Sequence, residues 1–335
     1  MPAAQKRTSK NWFERLAGFR ETAYDHTQQR FEIVGERLRS RVNGRSYRVG
    51  NLQFASLQHL RRQAASSGVS GRLRYSEIKG DIRRLHRAPE YAGALFQVAS
   101  QFNLLEMASP DITPERGVTC YQYDNTQGPA CAIAAGAATI YRNYFVPFDA
   151  GFGQTAKRQL DGLADIGAKL SHALCMPAQQ LWTMRNGYAL CTHAGLEAIS
   201  TYLREATDEG RGELRSLLRI GVHRDVEVTD GDGPDHQLVS QAFCSALPIA
   251  YSPIPSEHWR SFAELILEAA YEATLWAGAV NAQHRGSNIV LLTRLGGGAF
   301  GNDGVWIDAA MHRALTLARD FDLDVRLVHY GANSP

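Results

Sequence analysis

The sequence predicts an α/β protein whose mostly parallel sheet is covered by helices on both faces. From residue 91 onward, short apolar runs alternate with long stretches of helical period. Several of those runs are continuously apolar, as strands buried on both faces are. Ala94–Ala99 and Gly117–Tyr121 are the first expected strands, and Lys157–Cys175 and Thr192–Ala206 are helices. Leu218–His223 and Val239–Leu247 read as buried strands, the second ending at Pro248. A long helix covers about Glu257–Gln283, with Phe262, Leu265, Ile266, Ala269, Leu275 and Trp276 on its apolar side. Ser287–Arg294 is the clearest strand, Val305–Ala318 a helix and Asp324–His329 the last strand.

The front of the chain differs. Residues 1–90 hold 19 of the 36 Lys and Arg residues but 8 of the 34 Asp and Glu residues, although the whole chain carries only +2. A basic front and an acidic body suggest two functional surfaces, or a front that docks on the body. The arginines from Arg30 to Arg48 interleave with Glu32, Glu36 and apolar residues, which favours a solvated or intramolecular role over nucleic-acid binding. Trp12, Phe13, Leu16, Phe19 and Ala23 have the spacing of an amphipathic helix over 11–24, and 41–80 reads as loop-rich. The expected division is a basic accessory region at 1–90 and a ligand-handling domain at 91–335.

No apolar run reaches the roughly 18 residues of a membrane span. Met1–Arg7 leads into polar sequence, without the apolar stretch of a secretory leader. Cys120, Cys131, Cys175, Cys191 and Cys244 contain no C-x-x-C pair, so neither a disulfide framework nor a zinc site is expected. The expectation is a cytoplasmic protein with no cofactor, metal or membrane partner.

Ligands of such sheets bind where loops leave the carboxyl ends of strands. Two loops have the chemistry for this. Gly296, Gly297, Gly298, Ala299, Phe300, Gly301 and Asn302 lie between the strand ending near Thr293 and the helix beginning near Val305. Glycines there let backbone N–H groups approach an anion, and the helix N-terminus adds partial positive charge. The alternative is a tight turn whose glycines serve packing. Gly296, Gly298 and Gly301 also satisfy the dinucleotide spacing G-x-G-x-x-G, but too little chain follows to build that domain. The second loop holds Asp124, Asn125, Thr126, Gln127, Gly128, Pro129 and Ala130, polar groups suited to a sugar or base, or to a turn capping a buried helix. Cys131 beside it has no neighbouring cation and reads as structural. An acidic segment with Asp225, Glu227, Asp230, Asp232 and Asp235 follows the strand Leu218–His223, offering carboxylates for a guanidinium or for general base work. It lacks the Glu that an EF-hand requires at its twelfth position.

The loop at 295–302, the block Phe96–Glu106 and the run Thr126–Ala130 together resemble macrodomains, in particular the MavL-like and poly(ADP-ribose) glycohydrolase-like branch. The resemblance implies a three-layer α/β/α fold and an ADP-ribose pocket. In it Asn103 sits near the distal ribose, Gly296–Asn302 wrap the diphosphate and Gln127–Ala130 form the opposing wall. It further implies removal of ADP-ribose from a modified protein, with arginine as the linkage and ADP-ribosylated ubiquitin as the type of partner. The paired glutamates of the glycohydrolases are absent, and Gln127-Gly128-Pro129 stands in their place. Catalytic carboxylates are therefore expected from Asp124 and from the acidic segment. A non-catalytic reader of ADP-ribose, and a nucleic-acid or partner-docking protein acting through the basic front, are the competing readings.

Overall fold

The computed structural model describes residues 10–231, 236–285 and 287–331. Helix α1 (Trp12–Ala17) starts where the Asn11 side chain accepts the Glu14 N–H at 2.7 Å, and it ends at Gly18, φ 81°. That left-handed cap interrupts the helix expected over 11–24, and the chain resumes helix only in α2 (Tyr24–Gln29). Strands β1 (Phe31–Val34), β2 (Arg37–Ser40) and β3 (Ser46–Arg48) then form a small antiparallel sheet. Phe13, Leu16, Phe31 and Leu38 build a separate front core with Ala137, Ile140 and Tyr144.

The stretch expected to be loop-rich contains β4 (Asn51–Ser56), α3 (Leu57–Ala65) and β5 (Arg74–Lys79), and the two strands are the edges of the main sheet. In β5 the first four residues and the last are exposed, so that strand carries almost no hydrophobic signal. The boundary expected at residue 90 accordingly does not bound the sheet. Next come α4 (Ile82–Arg87), β6 (Leu95–Ala99), α5 (Gln127–Ala134) and α6 (Gly136–Tyr144). The strand expected at Gly117–Tyr121 is a 3-10 turn, Thr119–Tyr123. It is anchored by Glu21, whose carboxylate accepts the N–H groups of Val118 and Thr119.

Two short hairpins follow, β7 (Pro147–Phe148) with β8 (Gly151–Phe152) and, beyond α7 (Ala164–Leu174) and α8 (Ala178–Leu181), β9 (Trp182–Arg185) with β10 (Tyr188–Cys191). The helix expected from Lys157 begins only at Ala164, because Gly162 exchanges backbone hydrogen bonds with Phe102 and Arg219. Helices α9 (His193–Glu205) and α10 (Asp208–Leu217) precede β11 (Arg219–Glu227) and β12 (Leu238–Cys244). Helix α11 (Arg260–Arg285), β13 (Ile289–Leu292), α12 (Gly304–Leu317) and β14 (Asp324–His329) complete the chain close to where the sequence puts them.

The main sheet has the order β4-β11-β12-β6-β13-β14-β5. The pairs β4/β11 and β11/β12 are antiparallel, and the other four are parallel. Alternation divides the side chains between two faces. Leu95, Ala242, Val290 and Val325 pack on α3, α11 and α12, while Phe96, Phe243 and Leu291 pack on α4, α5 and α6. This is the expected three-layer α/β/α arrangement. Each fully buried Leu or Phe contributes about 1.5–3 kcal/mol. Strand direction then fixes what can meet: β5, β6, β12, β13 and β14 end at one rim, whereas β11 alone in this sheet ends at the other. Among the described residues no helix is long and apolar enough to cross a membrane.

Candidate functional site

A cleft of about 560 Å³ opens at the rim where the parallel strands end. Gly296, Gly298, Ala299 and Phe300 line one side, and Asp124, Thr126, Gln127, Gly128, Pro129 and Ala130 line another. The two loops singled out in the sequence therefore face a common space.

The glycine loop is held from behind. Asn302 donates from Nδ2 to Leu247 O at 2.8 Å, and its N–H bonds Gly296 O at 2.9 Å. Gly297 donates its N–H to Arg294 O, and Gly301 donates to Gly298 O. Gly297, Gly301 and Asn302 thus shape the loop without lining the cleft. A left-handed φ of 75° at Gly296, with Ala246 2.5 Å from where a Cβ would stand, explains that glycine. Among the described residues the N–H groups of Gly298, Ala299 and Phe300 donate to no protein acceptor. Successive backbone donors without protein acceptors on a concave wall have the chemistry to hold an anion.

The start of α5 lines the same cleft. Gln127 closes the end of β6 with its side-chain amide, Oε1 accepting the Ala99 N–H at 2.9 Å and Nε2 donating to Gln97 O at 2.8 Å. A Cβ at Gly128 would collide with Ala99 O, so only glycine lets the helix start this near the strand. Asp124 accepts from the N–H and the hydroxyl of Thr126, which pins the turn ahead of the helix.

The carboxylate that the sequence reading did not single out is Glu106. It lines the cleft yet is only 2% exposed. Its Oε1 accepts from Arg142 Nη2 at 3.3 Å, and its Oε2 has no hydrogen-bond partner among the described residues. Burial lifts its pKa to about 7, against the opposing pull of Arg142. Arg142 is itself fully buried, donates to Leu104 O and Thr139 Oγ1, and lies 3.8 Å over the Phe243 ring. A carboxyl that titrates near neutrality in a cleft can hold or accept a proton. Phe300, Tyr188 and Tyr251 supply aromatic walls, with centroids 5.1–5.7 Å apart. Asp81 and Arg83 line the cleft at the start of α4.

The acidic segment lies elsewhere. β11 runs antiparallel to β12, so its carboxyl end is at the opposite rim from the glycine loop. Asp225 occupies the bulge of β11 at φ 62°, 3.9 Å from Arg48. Glu227 accepts the Arg48 N–H at 2.6 Å, and Asp230 takes two bonds of 2.8 Å from Arg83. None of these three lines the cleft. Asp232 and Asp235 lie outside the described residues. Asn103 also stands apart: its side chain accepts the Leu105 N–H and donates to Gln159, holding the 101–107 loop rather than lining the cleft. A lone Glu after Leu104-Leu105 carries no local motif, since its partner Arg142 is 36 residues away.

No known protein family's sequence pattern matches the chain. No curated protein matches it by sequence. Among solved structures it is similar to poly(ADP-ribose) glycohydrolase from Deinococcus radiodurans in complex with ADP-ribose, at 12% identity and a TM-score of 0.44, covering 85% of this chain and 89% of that one. The apo form of that protein gives 11% identity and 0.40, over 85% and 87%. Poly(ADP-ribose) glycohydrolase from Thermomonospora curvata bound to the inhibitor ADP-HPD gives 13% and 0.37, over 92% and 90%.

Proposed function

We propose that this chain binds ADP-ribose in the 560 Å³ cleft and hydrolyses the bond that links it to a protein side chain. The observation that carries this reading is the row of free N–H groups at Gly298, Ala299 and Phe300 in a cleft that the start of α5 also lines. Backbone donors held ready in this way suit a diphosphate, which needs donors already oriented when it arrives. Phe300, Tyr188 and Tyr251 offer apolar faces beside it for a base or a sugar.

Glu106 is our candidate for the proton-transfer group. As a carboxylate it takes a proton from water as the water oxygen bonds to the anomeric carbon. The bond from that carbon to the side-chain nitrogen breaks, and the leaving nitrogen takes up the proton that Glu106 accepted, which restores the carboxylate. Arg142 keeps the ionised form accessible near neutral pH despite burial. Such assistance is typically worth about 10²–10⁴ in rate. We propose arginine as the leaving side chain, because Asp81 and Asp124 put two carboxylates on the cleft wall where a guanidinium would lie. ADP-ribosylated ubiquitin is the first substrate to try.

The test is incubation with arginine-ADP-ribosylated ubiquitin, followed by intact-mass measurement of the protein and detection of free ADP-ribose. Loss of the modification with release of ADP-ribose supports the reading. Modification retained on every linkage tried, with ADP-ribose still bound, leaves the second reading, a module that reads ADP-ribose without turning it over. The near-complete enclosure of Glu106 is what favours that alternative.

A further inference from the structure

A second and larger cleft, about 1150 Å³, lies on the other side of α5, with Ile133 on the walls of both. Among the described residues it is lined by Lys10, Arg15 of α1, Arg37 of β2, Arg45 and Arg87 of α4, with two carboxylates, Glu227 and Asp230. Both carboxylates are already engaged. Glu227 accepts the Arg48 N–H and lies 3.7 Å from Arg37, and Asp230 accepts from Nε and Nη2 of Arg83. Among the described residues Lys10, Arg15, Arg45 and Arg87 pair with no carboxylate.

Several of these cations are positioned by backbone oxygens instead. Arg15 donates to Lys10 O at 2.9 Å, Arg45 to Arg15 O at 3.3 Å, and Arg37 to Ser46 O at 2.7 Å. A second observation is independent of charge. Trp12 lines the same cleft, is 6% exposed, and its Nε1–H has no acceptor among the described residues. A buried donor without a partner is uncommon unless a ligand or water completes it.

We propose that this second cleft binds a small ligand carrying several phosphate groups. Arginine is the residue suited to phosphate, through its fork of donors and its permanent charge. The cations surround a concave volume rather than forming an exposed stripe, which fits a compact polyphosphate that enters over a nucleic-acid strand that tracks a surface. Tyr47 and His236, with rings 6.3 Å apart, complete the wall. The proposal does not depend on hydrolysis in the first cleft.

The experiment is isothermal titration of the full chain at physiological salt with inositol hexakisphosphate, inorganic tripolyphosphate and a short single-stranded oligonucleotide. Arg15→Gln/Arg45→Gln/Arg87→Gln is compared with Arg204→Gln/Arg260→Gln/Arg319→Gln, which removes the same charge from exposed arginines elsewhere. Single-site binding of at least one phosphate probe, weakened at least tenfold by the first triple and less than twofold by the second, is the expected result. ADP-ribose affinity should be unchanged in both, which separates this site from the first cleft. The proposal is overturned if neither phosphate probe binds, if both triples weaken binding equally, or if the oligonucleotide binds more tightly than either phosphate probe.

Discussion

Replacing Gly298 with alanine separates a ligand-binding glycine from a folding one. An added Cβ at Gly298 meets nothing within 4 Å, so the folded chain accommodates it in open cleft space. Gly→Ala at a compatible position is neutral or stabilising by about 0.4–1 kcal/mol. The methyl nevertheless occupies the volume through which a phosphate oxygen would reach the N–H groups of 298 and 299. Hydrogen bonds to a charged group contribute about 1.5–3 kcal/mol each. Blocking one of them should therefore weaken ADP-ribose binding by roughly 10- to 100-fold. Gly296→Ala is the counter-case. Its φ of 75° and the Ala246 methyl 2.5 Å away predict loss of stability, by about 1–2 kcal/mol for the left-handed backbone plus about 1–3 kcal/mol for overpacking. Calorimetric titration with ADP-ribose, with a thermal melt of each variant, measures both effects. A Gly298→Ala protein that binds ADP-ribose as tightly as the parent, or that melts well below it, would refute the reasoning.

Glu106→Gln should retain ADP-ribose affinity and lose about 10²–10⁴ in turnover, read as released ADP-ribose; wild-type turnover would assign the proton transfer to another group. The same variant carries a pH signature. Burial raises the Glu106 pKa from 4.5 to about 7, so its contribution favours the folded state below pH 4.5 and is lost as pH rises to 7. Denaturant titrations should show Glu106→Gln gaining stability relative to wild type across that window and no further above it, whereas a flat difference would contradict the burial argument. His86, fully buried against Phe96, has the opposite sign: its pKa falls from 6.5 to about 4, so its contribution is lost as pH drops through that range. His86→Gln should flatten the acid limb of stability in the same titrations. Asp230→Asn should lower stability by about 1–3 kcal/mol by weakening the grip on Arg83, while leaving turnover within about twofold. A drop of 10² or more in that variant would return the acidic segment to the chemistry.

Much of the fold was legible because its buried strands and long helices carry strong periodic signals. Ile289–Leu292 and the apolar side of α11 are read directly, as is the glycine loop between a strand and a helix. Edge strand β5 was not legible, since Arg74–Lys79 exposes most of its side chains and its pairing with β14 is made by backbone. Strand direction was not legible either. The acidic segment follows a strand, as ligand loops do, but nothing local to Leu218–His223 reveals that β11 runs against its neighbours. Glu106 was hidden for a related reason: what makes it chemical is Arg142 and a cleft built from elements distant in sequence.

Thermal unfolding with and without ADP-ribose, with AMP and NAD as controls, tests the cleft most directly. At about 100 times its dissociation constant the ligand should add about 2.7 kcal/mol to stability in the parent protein, and distinctly less at the same concentration in Gly298→Ala. An unchanged melting temperature at millimolar ADP-ribose, or an equal rise in the parent and in Gly298→Ala, would contradict an ADP-ribose site built on the amides of 298–300.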